Sequence, residues 1–132
     1  PFFTQMRESW TAESPLPGGE NMTETQALVD SLLAHHDWLP VDIAKRWAST
    51  YGSRVWRLLE DTQGPADLGQ TIGGGLFTRE VDYLRNQEWA VTAEDILWRR
   101  TKLGLFTSTA EQQALVDYLK QVADHSAGIR PA

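Results

Sequence analysis

The sequence predicts an all-α fold, a bundle of about five or six short helices with no significant sheet. Three observations carry this. Apolar residues recur at spacings of three and four. Ser, Thr, Gly and Pro fall between those runs, where helices start and stop. No segment sustains the period-two alternation of β-branched residues that a half-buried strand needs. At 132 residues, 41% hydrophobic and 23% charged, the chain suits a soluble globular class. Six tryptophans can bury on the order of 150–250 Å² each. The absence of cysteine excludes disulfides, thiolate metal sites and cysteine nucleophiles.

The elements follow in order. Residues 1–22 read as the residual end of a helix plus a linker, because residues 8–22 hold two prolines, a Gly-Gly pair and small polar residues. A helical domain is expected over 23–126 and a flexible tail over 127–132. Thr23 caps a helix running to about His36, with Leu28, Val29, Leu32 and Leu33 on one face. Pro40 opens the next helix, whose stripe is Ala44, Trp47, Ala48 and Tyr51, and Gly52 ends it. Ser53 caps a short helix carrying Val55, Trp56, Leu58 and Leu59. Residues 61–75 are rich in glycine and read as an irregular connection.

Thr78 caps a helix stapled by Phe77 against Val81, and Thr92 with Asp95 caps the short helix that follows. Ser108 and Glu111 form a capping box for a long last helix lined by Leu115, Tyr118, Leu119 and Val122. Trp47, Trp56 and Trp98 are assigned to the core, and Trp10, Trp38 and Trp89 to loop seals at element ends.

Charge narrows the function classes. The net charge is −6, with five Lys/Arg against nine Asp/Glu in residues 1–66 and seven against nine in residues 67–132. That balance disfavours nucleic acid, which needs a basic face. The longest apolar runs are too short to span a bilayer. The N-terminal PFFTQMRESW lacks the basic n-region and long h-region of a signal peptide. A start at proline reads as a piece of a longer chain.

Few constellations invite chemistry. His35-His36-Asp37 is a weak metal candidate, because adjacent helical residues point about 100° apart. It reads instead as a helix end whose dipole favours the imidazoles. Gly73-Gly74-Gly75 precedes a helix but lacks the strand and the GK[ST] of a phosphate loop, so it reads as a flexible turn. The helical carboxylates Glu80, Asp82, Glu88, Glu94 and Asp95 pair with no nucleophile and read as solvated faces. No catalytic, cofactor-binding or metal residue is assigned. The basic run Arg99-Arg100-x-Lys102 is a genuine contest between stapling neighbouring helices and recognition of a phosphate or partner.

One stretch is more specific. Trp10-Thr11-x-Glu13-Ser14-x-Leu16-Pro17-Gly18-Gly19, then Tyr51-Gly52, Asp67-Leu68-Gly69, Glu80-Val81-x-Tyr83-Leu84 and Glu88-Trp89 stand in the order found in one family. Ala93, Asp95 and Leu97-Trp98-Arg99-Arg100-Thr101-Lys102-x-Gly104 complete its most distinctive block. Over about Trp10 to Val122 the chain resembles the C-terminal domain of aerobic FAD-dependent glycerol-3-phosphate dehydrogenases. The Gly73–Gly75 run is not part of that pattern.

The resemblance implies a parent that oxidises glycerol 3-phosphate to dihydroxyacetone phosphate and passes electrons through FAD to quinone. That parent is a cytoplasmic peripheral protein of the bacterial inner membrane or a protein of a mitochondrial membrane, and is open to homo-oligomerisation. The mitochondrial members continue into calcium-binding hands, and no D-x-[DN]-x-[DN]-G loop stands here, which favours the bacterial type. No G-x-G-x-x-G fingerprint stands here either, so FAD and the catalytic groups are expected upstream, with no cofactor and no direct membrane insertion in these residues. The expected role is an accessory cap on the flavin and substrate domain, with Arg99, Arg100 and Lys102 reaching beyond the domain's own core. Rival readings are a free-standing helical interaction module, a helix-turn-helix DNA reader around Gly52, and the same domain on a related FAD enzyme with another substrate.

Overall fold

A computed structural model describes residues 25–127. They fall into two compact units that divide between Glu60 and Asp61. Helices dominate both, as the spacing of apolar residues requires. The linker, Thr23, Trp10 and the tail beyond Ala127 lie outside the described residues.

In the first unit, α1 (Thr25–His35) buries Val29 and Leu32 and packs on α2 (Val41–Tyr51), which buries Ile43, Ala44, Trp47, Ala48 and Tyr51. Pro40 stands just ahead of α2 as its N-cap, and its carbonyl accepts the Ala44 N–H at 2.9 Å. Gly52 closes α2 with φ +56, a value that suits glycine. A 3₁₀ turn, Gly52–Arg54, leads into the single-turn α3 (Val55–Leu58). Ser53 therefore lies inside that turn, and Arg54 takes the N-cap place expected for Ser53. Trp56 is not core: it remains 36% exposed while Val55, Leu58 and Leu59 are buried. One turn has only one inward side, and the three aliphatic side chains fill it.

Early in the second unit the Asp67 carboxylate accepts the N–H groups of Gln63 and Gly64 at 2.8 and 3.1 Å and fixes a 3₁₀ turn over Pro65–Leu68. Strands β1 (Thr71–Gly73) and β2 (Leu76–Phe77) then pair antiparallel, Thr71 with Phe77 and Gly73 with Leu76. Part of the irregular connection is thus a hairpin, turned by Gly74 and Gly75 with φ +59 and +79. Positive φ at both central positions marks the turn whose twist matches paired strands.

Helix α4 (Thr78–Gln87) buries Glu80, Val81, Tyr83 and Leu84. Its N-cap is Phe77, not Thr78. Thr78 instead joins the hairpin, donating its N–H to the Gln70 carbonyl and accepting the Gln70 N–H on Oγ1 at 3.1 Å. The Ala90 N–H reaches back to the Leu84 carbonyl at 3.1 Å, a bond spanning six residues that closes the helix C-terminus. Trp89 takes the left-handed position there, with φ +55. A π-helix (Asp95–Arg100), a 3₁₀ turn (Leu103–Leu105) and α5 (Thr109–Ala127) complete the unit. Its core gathers Leu68, Leu76, Val81, Leu84, Ile96, Leu97, Leu103 and Leu115.

Candidate functional site

The block Ala93–Gly104 is held from its first residue. Thr92 and Asp95 exchange capping bonds: the Asp95 N–H donates to Thr92 Oγ1 at 3.1 Å, and the Thr92 N–H donates to Asp95 Oδ2 at 3.0 Å. The Val91 N–H donates to the same oxygen. Backbone donors at Thr92 and then Val91 hold the Asp95 carboxyl below its ordinary pKa.

From Asp95 onward the turn widens by one residue. The Thr101 N–H and Oγ1 both donate to the Ile96 carbonyl, at 3.0 and 2.7 Å, a span of five residues. Such π turns cost regularity and cluster at functional sites. The extra residue leaves Ile96 and Leu97 buried and turns Trp98 outward, 47% exposed. Trp98 is therefore not the core residue expected. Its indole lies against Gly104, where a Cβ would stand 2.5 Å from the ring. Trp98 also walls an open groove of about 580 Å³, lined on the far side by Gln112, Gln113 and Val116 of α5.

The three basic residues separate in the structure. Arg99 donates to Asp95 at 2.8 Å and lies 3.6 Å from Glu94. Arg100 reaches Glu88 at 3.5 Å. Lys102 is exposed in a left-handed conformation, φ +57, with no ion pair among the described residues. Both arginines thus meet acids of their own unit, whereas Lys102 is exposed with no ion pair among the described residues.

The glycine turn is tied down. Ser108 and Glu111 form their capping box, with the Ser108 N–H donating to Glu111 Oε2 at 2.6 Å and the Glu111 N–H to Ser108 Oγ at 3.3 Å. The Gly74 N–H donates to the same carboxyl, which these donors, Ser108 first, hold below its ordinary pKa. A Cβ on Gly73 would collide with the Glu111 side chain. The turn thus already holds a carboxylate, which repels phosphate.

His35 and His36 meet tryptophan rather than one another's ligands. Both ring centroids lie within about 6 Å of the Trp56 ring, at 5.3 and 6.1 Å, and His36 stands edge-on to Trp38 at 5.5 Å. Trp38 is half-buried, whereas Trp89 is 85% exposed and seals nothing among the described residues. A second open groove, about 420 Å³, lies between Gly69, Thr78, Tyr118 and His125. Tyr118 donates to both Asp82 carboxylate oxygens at 3.1 and 3.0 Å. Burial, then the Asp82 charge, pushes the phenol pKa up.

The block thus presents a half-exposed indole, an exposed lysine with no ion pair among the described residues, and an open groove of mixed polar and apolar lining. Residues 9–127 match the protein family described as the C-terminal domain of alpha-glycerophosphate oxidase. The chain belongs to that family. The match brackets Trp10–Val122, where the sequence resemblance was drawn. Among its relatives is a glycerol-3-phosphate dehydrogenase of Pseudomonas aeruginosa, 52% identical over 132 residues, all of this chain and 26% of the relative. A second, from Pseudomonas tolaasii, is 54% identical over 136 residues, again all of this chain and 26% of the relative. A D-erythritol 1-phosphate dehydrogenase of Brucella abortus is 38% identical over 117 residues, 88% of this chain and 23% of the relative. The chain spans about a quarter of the length of these relatives.

Within the family domain, sequence reading found the capping pairs and the diagnostic block. It missed the π turn, the left-handed Trp89 and Lys102, and the groove. Glycine is the usual signal for a left-handed helix exit, and neither position carries it.

Proposed function

We propose that this chain is the helical accessory domain of an FAD-dependent glycerol-3-phosphate dehydrogenase, without chemistry of its own. The observation that supports it most is the alignment of the whole chain with only 26% of a glycerol-3-phosphate dehydrogenase at 52% identity. The remaining portion of such an enzyme would hold FAD, bind glycerol 3-phosphate and pass electrons to quinone at the cytoplasmic face of the inner membrane. The glycine turn does not fit a flavin phosphate. The glycine turn holds Glu111, and the sheet around it is two strands of three and two residues rather than a βαβ crevice.

The domain's part is to pack on the catalytic portion of its own chain and to present Arg99, Arg100 and Lys102 at that contact. A second reading keeps the architecture and changes the substrate to another polyol phosphate, favoured by the 38% identity to a D-erythritol 1-phosphate dehydrogenase. Dye reduction by the full-length enzyme decides between them. Glycerol 3-phosphate is expected to be oxidised with the higher kcat/KM. Preference for erythritol 1-phosphate selects the second reading, and oxidation of neither rejects both.

A further inference from the structure

The outward face of the π-helix carries more than a solvated helix end requires. Trp98 stays half exposed beside buried Ile96 and Leu97, yet its ring lies close against Gly104. This glycine has no left-handed φ to justify it, and its missing Cβ makes room for the indole. A tryptophan packed in this way against backbone has already given up much of the rotamer freedom that docking would cost. Leu105 and Phe106 follow at once, 70% and 75% exposed. Behind Trp98 the groove sets the apolar Leu97 and Val116 beside the polar Glu94, Gln112 and Gln113.

The relatives show what is available to cover such a face. This chain fills 26% of the length of the Pseudomonas aeruginosa relative, so most of a parent of that size lies elsewhere in the same polypeptide. A segment of that portion is present at a high effective concentration, so even a small anchor suffices to hold it. Charge adds to the description of the occupant. Arg99 and Arg100 meet acidic residues of this unit, whereas Lys102 meets none among the described residues.

We infer that the groove walled by Trp98 receives an apolar segment of the upstream catalytic portion, and that a carboxylate beside that segment pairs with Lys102. The occupant's identity as catalytic portion rests on the functional reading above. The contact is a tether: an indole anchor in a groove with a flanking ion pair, each part a recognised source of interface energy and register.

The test places a photo-crosslinking phenylalanine analogue at position 98 of the full-length enzyme, and separately at Gln113 and Ala114. Gln113 lines the groove from α5 and is exposed, so its replacement spares the fold if the change at Trp98 does not. Ala114, the next residue on the helix, is exposed and does not line the groove. Crosslinks from 98 and 113 into the upstream portion are expected, with little from 114. Lys102→Glu should lower the yield from 113 several-fold. An active enzyme that gives no crosslink from 98 or 113, gives them only to a second copy, or gives equal yield from 114, overturns the interface. An enzyme that crosslinks as expected but oxidises no polyol phosphate keeps the interface and overturns the functional reading.

Discussion

Glu111 joins two elements of the second unit. Its carboxylate caps α5 through Ser108 and anchors the hairpin through Gly74. Asp95 does the equivalent at the π-helix through Thr92 and Val91. Both carboxyls ionise more readily in the folded chain than in the unfolded one. Their contribution is therefore present above the ordinary carboxylate range and lost as pH falls through and below it. Thermal melts should show Tm falling on acidification below about pH 5. Glu111→Gln should lower Tm at neutral pH and flatten that acid limb. An unchanged limb would mean the carboxylate is not a stabilising acceptor. These two capping pairs were legible in the sequence, because a short polar residue followed at three by an acid is itself the mechanism. The tryptophans were not. Trp56 and Trp98 sit on apolar stripes, and only the inward capacity of a single turn and the width of a π turn decide that they stay exposed.

At the scale of the element, the π-helix stands on Thr101. Its hydroxyl and N–H share the Ile96 carbonyl, and the hydroxyl also accepts the Leu103 N–H at 3.2 Å. Thr101→Val keeps the shape and removes the hydroxyl, so urea denaturation should show a loss of about 0.5–1.5 kcal/mol. A smaller loss would show that the widened turn stands without it. Gly104→Ala places a methyl in the Trp98 ring and should cost about 1–3 kcal/mol through overpacking. Trp98 fluorescence should shift in the same variant as the indole moves, and an unmoved spectrum would contradict the contact. The helix start was readable from Thr92 and Asp95, but the extra residue was not, because a helical period does not distinguish four-residue from five-residue closure over one turn. The hairpin escaped for a related reason. Strands of three and two residues are too short to alternate, although the glycines that turn them were plain.

At the scale of the molecule, the sequence conveyed the helical class and the family, which hold over the described residues and over residues 9–127 respectively. The family came through because LWRRTK and its ordered neighbours are specific, whereas the groove is assembled by Leu97 and Trp98 of the π turn with Gln112, Gln113 and Val116 of α5, which are distant in sequence. No pairwise spacing announces a groove. The central claim is a division of labour: these residues dock and stabilise, and flavin chemistry lies in the rest of the enzyme. The most direct measurement is made on the 132-residue chain purified alone, by circular dichroism, visible absorbance after flavin addition and desalting, and glycerol 3-phosphate-dependent dye reduction. The account predicts a helical spectrum, no retained flavin and no dye reduction. Flavin retained at one per chain, or dye reduced by the chain alone, would contradict it.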